Sequence, residues 1–295
     1  SSLPPKTDTK IQQHLDIQNI LISKSQWLLA TPDDQNEQGQ SNHPDIQEEF
    51  ILAHCAGVGP RFPDNIVRSA IVARANVLTI GVSGVRPIAV QTLVDMLNMN
   101  IVPNVPSQGS VGAAGDLAPM AHIARVACGY HKLSKAPDHF TPLQPTQKET
   151  LALINGVSVS SAIAANVIVR FQRVFDTALL ATAMTMEAVR AHRQCLNAKA
   201  LSTRSHPEIV EVGAELAALL QGSKRVLDSR SPDAFSIRAG PSVLGAVLRT
   251  LRFARTEVER ELNGASDNPL NINDSWVETG NFHGASLALA MDHLT

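Results

Sequence analysis

The segment best suited to chemistry is a glycine-rich stretch, GSVGAAGDLAP, at residues 109–119. Glycine and alanine place almost no side chain around the backbone, so a ligand, another helix or the chain itself can approach very closely. Asp116 stands just before a predicted helix over residues 117–128, where a carboxylate stabilises the first turn. On these residues alone, a tight packing loop explains the pattern as well as a reactive loop does.

Metal and phosphate chemistry find no support in the sequence. Three histidines lie far apart, at His122, His192 and His206, and no HExxH pattern joins any pair of them. The chain also lacks a glycine-rich phosphate loop of the GKS/T type and a GxGxxG pattern. We therefore expect no metal site and no nucleotide site.

Composition narrows the class of protein further. The chain is 44% apolar but only 4% aromatic, which predicts an aliphatic core, and its net charge of −2 favours neither nucleic acid nor an anionic membrane as a partner. No apolar run approaches the roughly 18 residues that span a bilayer, and the first residues lack the apolar core of a signal peptide. Three widely spaced cysteines are typical of reduced thiols in a cytoplasmic protein.

The elements that position these residues are predicted to be helices. Apolar residues at helical spacing predict helices from Pro63 to Gly81, after Pro87, and over residues 208–220 and 242–263. Residues 157–201 contain neither Gly nor Pro and predict one helix of about 65 Å, or two abutting helices. Residues 11–29 show weak helical spacing, and residues 33–49 are almost purely polar, which predicts a solvated loop. The sequence therefore predicts a mainly α fold built as a long-helix bundle.

The 109–119 segment resembles the signature loop of the aromatic amino-acid ammonia-lyases, especially their histidine-specific branch, where it reads GSVGASGDLAP. The two patterns differ only at Ala114. Further segments follow in the family's order: AHCAGVG at 53–59, SGVRP at 83–87, KETLALING at 148–156, ELN at 261–263, SDNPL at 266–270 and GNFHG at 280–284. From about residue 50 onward the chain is identified as a member of this family. The resemblance implies a fumarase/aspartase-like bundle of long helices behind a loop-rich N-terminal region.

The resemblance also implies a reaction and a missing group. In this family an Ala-Ser-Gly tripeptide cyclises and its serine loses water, which yields a methylidene-imidazolone electrophile. That group lets ammonia leave the amino acid, and the histidine branch converts L-histidine to urocanate. The corresponding residues here are Ala113, Ala114 and Gly115. Because Ala114 has no β-hydroxyl to eliminate, we predict that this chain forms no such cofactor and has no ammonia-lyase turnover.

The resemblance assigns substrate contacts as well. His54 matches the histidine that reads the substrate imidazole, and Asn155 matches the asparagine that holds substrate or the imidazolone carbonyl. Arg238 matches a guanidinium suited to the substrate carboxylate. Phe282 matches an aromatic residue that lines the site. A packing role would also explain His54 and Phe282.

Other positions depart from the family pattern. In PDAFSIR at residues 232–238, Pro232 replaces a glutamine and Phe235 replaces a tyrosine, so an amide and a phenolic hydroxyl are missing. Val157 replaces a threonine. The tyrosine-bearing loop expected before His54 is not found, and full-length members continue past the position of Thr295 into helices that supply a glutamate and much of the oligomer interface.

Three accounts of such a chain stay open: a mutated segment of an active lyase, a decayed homologue kept as a binding or structural subunit, or a truncated gene product. A helical scaffold unrelated to lyases would instead show a packed, ligand-free cavity at these positions. We favour a lyase-family chain without lyase activity, whose candidate ligand is a small amino acid. It divides into a poorly matched segment at 1–49, a region carrying the loop at 50–156 and a truncated bundle at 157–295. We also expect a homo-oligomer, a tetramer by resemblance, whose isolated chain is poorly soluble or depends on partner chains.

Overall fold

The computed structural model describes residues 44–131, 137, 139–227 and 232–295. The weak helical pattern at residues 11–29 and most of the polar stretch at 33–49 lie outside these residues. The remainder of that stretch does not form the predicted loop, because the first described helix already begins at Pro44. Residues 44–49 are mostly polar, so no apolar periodicity indicated a helix there. One of these polar residues, Gln47, is nevertheless buried.

The described chain is mainly helical, as predicted. The helices are α1 (Pro44–His54), α2 (Asp64–Leu78), α3 (Pro87–Asn98), α4 (Leu117–Ala127), α5 (Gln147–Ile154), α6 (Ser158–Ala188), α7 (Ala198–Ser202), α8 (Pro207–Leu219), α9 (Phe235–Arg238), α10 (Gly240–Asn263) and α11 (Ala285–Leu294). Two 3₁₀ turns lie at Gly112–Ala114 and Arg193–Leu196. Two antiparallel ribbons complete the described elements: β1 (Val58–Arg61) with β2 (Pro106–Gln108), and β3 (Leu270–Ile272) with β4 (Ser275–Val277).

Helix starts follow local signals in the sequence. Helix α2 begins directly after Pro63, and α3 has Pro87 at its first position, where a missing N–H costs nothing. Helix α5 was not predicted, but it carries a capping box. Thr146 caps the Glu149 backbone N–H, and the Glu149 carboxylate accepts from the Thr146 N–H.

The long apolar stretch at residues 157–201 is not one continuous rod. Helix α6 ends at Ala188 after 31 residues, a length of about 46 Å. Arg190 then takes a positive φ of 55°, and His192 pairs with Leu227 in an isolated parallel bridge. Because a left-handed residue cannot continue a right-handed helix, the chain turns before α7.

Contacts divide the chain into two compact units. The first holds the described residues up to Asn166 together with Glu257–Leu289, and the second holds Val167–Thr256 and Ala290–Thr295. The boundaries fall inside α6, α10 and α11, so they differ from the division at residues 49 and 156, which stays a prediction.

The core of the first unit is aliphatic, as the composition predicted. Its fully buried large apolar residues are Ile51, Ile71, Leu93, Met96, Met120, Ile123, Leu153 and Ile154. In the second unit, α10 approaches α8 so closely that a Cβ on Gly245 would lie 2.8 Å from the Ile209 backbone. Glycine therefore permits this helix crossing.

One described stretch, Gln147–Ala188, is long and apolar enough to cross a bilayer, with a mean hydropathy of 1.8 over an 18-residue window. The expectation that no apolar run reaches this length was therefore wrong. However, 67% of that window is buried inside the protein. A core helix has the same length and composition, so this stretch is weak evidence for a membrane span.

Candidate active site

The glycine-rich loop folds into a tight turn between β2 and α4. Gly109, Gly112 and Gly115 have positive φ values of 140°, 65° and 114°, which residues with a Cβ rarely adopt. Gly112–Ala114 form a single 3₁₀ turn, in which Gly115 N donates to Gly112 O at 2.9 Å. The Ala114 side chain at its end is exposed.

Asp116 anchors this loop to the start of α6. Its Oδ1 accepts from Ser110 Oγ at 2.6 Å and from Ser160 Oγ at 2.8 Å, and its Oδ2 accepts from Ser160 N at 2.7 Å. Asp116 N donates to Gly156 O at 2.8 Å. Burial raises the pKa of Asp116, and the hydrogen bonds from Ser110 and Ser160 oppose that rise. Asp116 lies directly before α4 as predicted, but its side chain caps no N–H group of that helix and instead holds the loop against α6.

The GNFHG segment lies against the same loop. Gly284 N donates to Ala113 O at 2.8 Å. A Cβ on Gly284 would lie 2.7 Å from Val157 Cγ1, so only glycine fits there without displacing its neighbour. Phe282, two residues earlier, is partly buried.

The ribbon of β1 and β2 brings the His54 segment towards the loop. Val58 pairs with Gln108, and a Cβ on Gly109 would lie 3.0 Å from Gly57 Cα. His54 ends α1 and is partly buried. Its Nδ1 donates to Phe50 O at 2.8 Å, and the two rings lie 4.5 Å apart. A ligand would therefore meet Nε2 of His54.

Asn155 directly follows α5 and lies beside the loop, since the next residue, Gly156, accepts the hydrogen bond from Asp116 N. Its Nδ2 donates to Asp267 Oδ1 at 3.2 Å and to Asn268 O at 2.9 Å. Both partners are acceptors, so they fix the orientation of the amide and use both of its hydrogens. Any direct contact of this side chain with a ligand is therefore made by Oδ1.

A buried charge cluster lies behind Asn155. Asp267 Oδ2 is 2.9 Å from Lys148 Nζ and 3.6 Å from Arg74 Nη2, and the Arg74 and Asp267 side chains are fully buried. Arg74 Nη1 also donates to the backbone oxygens of Asn155 and Ser266. Burial lowers the pKa of both cations, and Asp267 opposes that shift in each. Two cations thus share one carboxylate in the interior.

Arg238 and Phe235 belong to the second unit, on the four-residue helix α9. Phe235 is 76% exposed. Arg238 is also exposed, and its Nε donates to Asp233 O at 2.9 Å. Their assignment to a substrate site therefore stays a prediction from the sequence.

The sequence did not predict several contacts of this region. The roles of Ser110 and Ser160 on Asp116, and of Lys148 and Arg74 on Asp267, were not predicted. Lys148 and Asp267 both stand inside quoted family segments, which is the signal that could have drawn attention to them. They are 119 residues apart, so no local pattern indicates that they meet.

Metal chemistry has no support among the residues described above. Within the described ranges, no group of three or more His, Cys, Asp or Glu side chains is arranged to hold a metal ion. The described cysteines Cys55, Cys128 and Cys195 are free thiols.

Comparison with known proteins places these features in a family. A model of the family described as "Aromatic amino acid lyase" matches residues 34–295. The match therefore begins earlier than residue 50. The chain is 37% identical over 265 residues to a histidine ammonia-lyase of Halalkalibacterium halodurans, covering 84% of this chain and 52% of the relative. It is 39% identical over 267 residues to the histidine ammonia-lyase of Geobacillus kaustophilus, again covering 84% and 52%.

Solved structures agree with the sequence relatives. Histidine ammonia-lyase from Trypanosoma cruzi has a TM-score of 0.77 at 31% identity and covers 97% of this chain and 56% of its own. Phenylalanine aminomutase from Pantoea agglomerans has a TM-score of 0.80 at 26% identity, with coverage of 97% and 63%. The chain spans about half the length of the curated relatives it matches. On this evidence, the chain belongs to the aromatic amino acid lyase family.

Proposed function

We propose that this chain is a histidine-type member of the family that lacks ammonia-lyase turnover. The observation that carries the proposal is Ala114, which stands at the centre of the loop where the family pattern has serine. The family makes its prosthetic group from its own chain, and the residues present here do not fit that group. A methyl group has no hydroxyl to eliminate, so the exocyclic methylene cannot form.

The loop framework supports ancestry in an active enzyme. Asp116, Gly284 and the positive-φ glycines hold the backbone of residues 112–115 in a bent, anchored turn. A loop kept only for packing would not require a buried carboxylate with several donors, because burying a charge costs free energy. The framework therefore supports the loss of reactive side-chain groups from a loop whose backbone anchors are retained.

The retained residues favour binding of an amino acid that is rich in N–H donors. His54 donates through Nδ1 to its own helix, so Nε2 is the ring nitrogen left for a ligand, and it accepts a hydrogen bond when the ring is neutral. Asn155 likewise leaves only Oδ1. Both atoms suit the imidazole or ammonium of histidine. We assign this chain a binding or structural role in a reducing, cytoplasmic compartment, which its free thiols support.

The intact mass of the purified chain, together with a histidine-dependent urocanate absorbance assay, tests the proposal. We expect no urocanate. An unchanged mass would show an unreacted loop, and a mass lower by one water would show ring closure without the methylene. Production of urocanate above the rate of a heat-denatured sample would refute the proposal, since another electrophile would then be required.

We further propose that the chain assembles with copies of itself through α6, as a tetramer by family resemblance. Val174, Leu180 and Met184 are 64%, 51% and 72% exposed on this helix. Leu180 and Met184 are one turn apart, so they form an exposed apolar strip on one face of the helix, and Val174 exposes further apolar surface on a neighbouring face. Such strips are rarely left in water, because burying them is favourable.

Sedimentation of the chain tests the assembly. We expect an oligomer for the unmodified chain and a smaller species for a variant carrying both Leu180→Glu and Met184→Glu. Ala218→Glu on α8 is the matched control, since it adds a carboxylate to another exposed helix position. An unmodified chain that sediments as a stable monomer would contradict the proposal.

A further inference from the structure

The carbonyl of Ala113 receives a hydrogen bond from a distant part of the chain. Gly284 N donates to Ala113 O at 2.8 Å. Gly284 itself is buried and directly precedes α11, where its own carbonyl accepts from Ala288 N at 3.0 Å. The donor is therefore held by the first turn of a helix, whose N-terminal end also favours negative charge.

Packing fixes this donor in place. A Cβ on Gly284 would meet Val157 Cγ1 at 2.7 Å. The residue before Val157, Gly156, accepts from Asp116 N at 2.8 Å, so the same short segment contacts both the donor and the loop. The segment of Gly156 and Val157 thus connects the Gly284 donor with Asp116, which directly follows the turn.

The attacking atom for ring closure lies at the other end of the turn. A five-membered ring forms when Gly115 N bonds to the carbonyl carbon of Ala113. The hydrogen of Gly115 N points to Gly112 O at 2.9 Å, and the positive φ values of Gly112 and Gly115 bend the turn. The reacting nitrogen and carbonyl are thus on one anchored turn.

Ring closure places negative charge on one atom only. As the N–C bond forms, the C=O π electrons move to Ala113 O. That oxygen then takes the hydrogen of Gly115 N, and leaves as water with the hydrogen of Ala114 N, so that a C=N bond forms between Ala113 C and Ala114 N. No oxidant or co-reactant is needed. A donor already placed on that oxygen stabilises the developing charge without reorganisation.

We propose that the Gly284 N–H is the oxyanion donor for cyclisation of this loop, and that the chain retains it although Ala114 prevents the later dehydration. This inference rests on the proposed function in one respect, namely that the loop descends from that of an active enzyme. It predicts that restoring the hydroxyl with Ala114→Ser lets both steps proceed. The mass of that chain then falls by two waters relative to its encoded mass.

Replacing the donor by an ester oxygen tests the proposal directly. In the Ala114→Ser background, cell-free synthesis with a suppressor tRNA inserts glycolic acid at position 284, which removes the N–H and keeps the glycine shape. Intact mass is followed over time after translation is stopped, and the rate is normalised to the folded fraction from far-UV circular dichroism. We expect ring closure to slow by about 100-fold, the effect of losing one oxyanion donor.

The matched control removes another anchor of the same loop. Malic acid at position 116 keeps the carboxylate but removes the Asp116 N–H that donates to Gly156 O. We expect this ester to slow closure much less, because it does not touch the reacting carbonyl. Equal slowing by both esters would show a purely structural role for Gly284 and overturn the proposal.

A folded Ala114→Ser chain that keeps its encoded mass would also overturn it. Neither of these results would bear on the absence of urocanate from the unmodified chain, which tests the proposed function separately.

Discussion

Removing the carboxylate at the centre of the buried charge cluster should strongly destabilise the first unit. Asp267 Oδ2 lies 2.9 Å from Lys148 Nζ and 3.6 Å from Arg74 Nη2. With an effective dielectric constant of about 20, each contact supplies about 5 kcal/mol of attraction, most of which offsets the desolvation of three buried charges. Asp267→Asn keeps the shape but leaves two buried cations without a counter-charge. We expect the free energy of unfolding to fall by about 3–5 kcal/mol.

The assay is urea unfolding followed by far-UV circular dichroism, with a matched surface pair as the control. Glu211 and Arg252 form an exposed pair at 2.6 Å, so Glu211→Gln should cost at most about 1 kcal/mol. Adding Lys148→Met to Asp267→Asn should recover part of the loss, because it removes one of the orphaned cations. A loss for Asp267→Asn no larger than that for Glu211→Gln would refute the electrostatic reasoning.

Three further outcomes are expected. Burial alone would raise the pKa of Glu149, but the bonds from Arg86 and the backbone hold it below its ordinary 4.5. The ionised Glu149 therefore contributes to the free energy of unfolding above pH 4.5, and this contribution is lost as the pH falls through its lowered pKa. When the free energy of unfolding is measured at decreasing pH, Glu149→Gln should lose less stability than the unmodified chain. Gly156→Ala should lower the free energy of unfolding by about 2–5 kcal/mol, because its φ is 107° and the new Cβ would collide with a backbone oxygen. Gly222→Ala, with a φ of 78° and open space around it, should cost only about 1–2 kcal/mol in the same urea titration, and equal costs would contradict the collision. Burial raises the pKa of Cys128 to about 12, so its thiol should react with a disulfide reagent at pH 8 only after denaturation; rapid reaction in the native state would contradict its burial.

Local signals predicted the helices that begin at a proline or directly after one. Helices α2 and α3 were predicted correctly because a proline needs no partner for its nitrogen and apolar spacing follows it. The same reasoning failed at residues 44–49, where polar residues form part of α1, and at residues 189–191, where an apolar run ends its helix. In both places the outcome depends on what packs against the chain, and the composition of the segment does not contain that information.

The arrangement of the site follows a similar division. Family segments located Asn155, Asp116 and Gly284, but not their partners. Only the fold shows that the Asn155 amide hydrogens are taken by Asp267 and Asn268. A spacing argument could not have found these contacts, because they join residues more than a hundred positions apart.

The sequence by itself determined the chemistry that residue 114 can support, since a hydroxyl is either encoded there or is not. It also determined the mainly helical class, because the apolar periodicity of α2 and α3 is a local property. The tertiary structure alone decided which groups meet: the Gly284 N–H on the Ala113 carbonyl, and one carboxylate between Lys148 and Arg74. These contacts exist because helices distant in sequence pack around a shared core, and burial then requires each polar group to find a partner within reach.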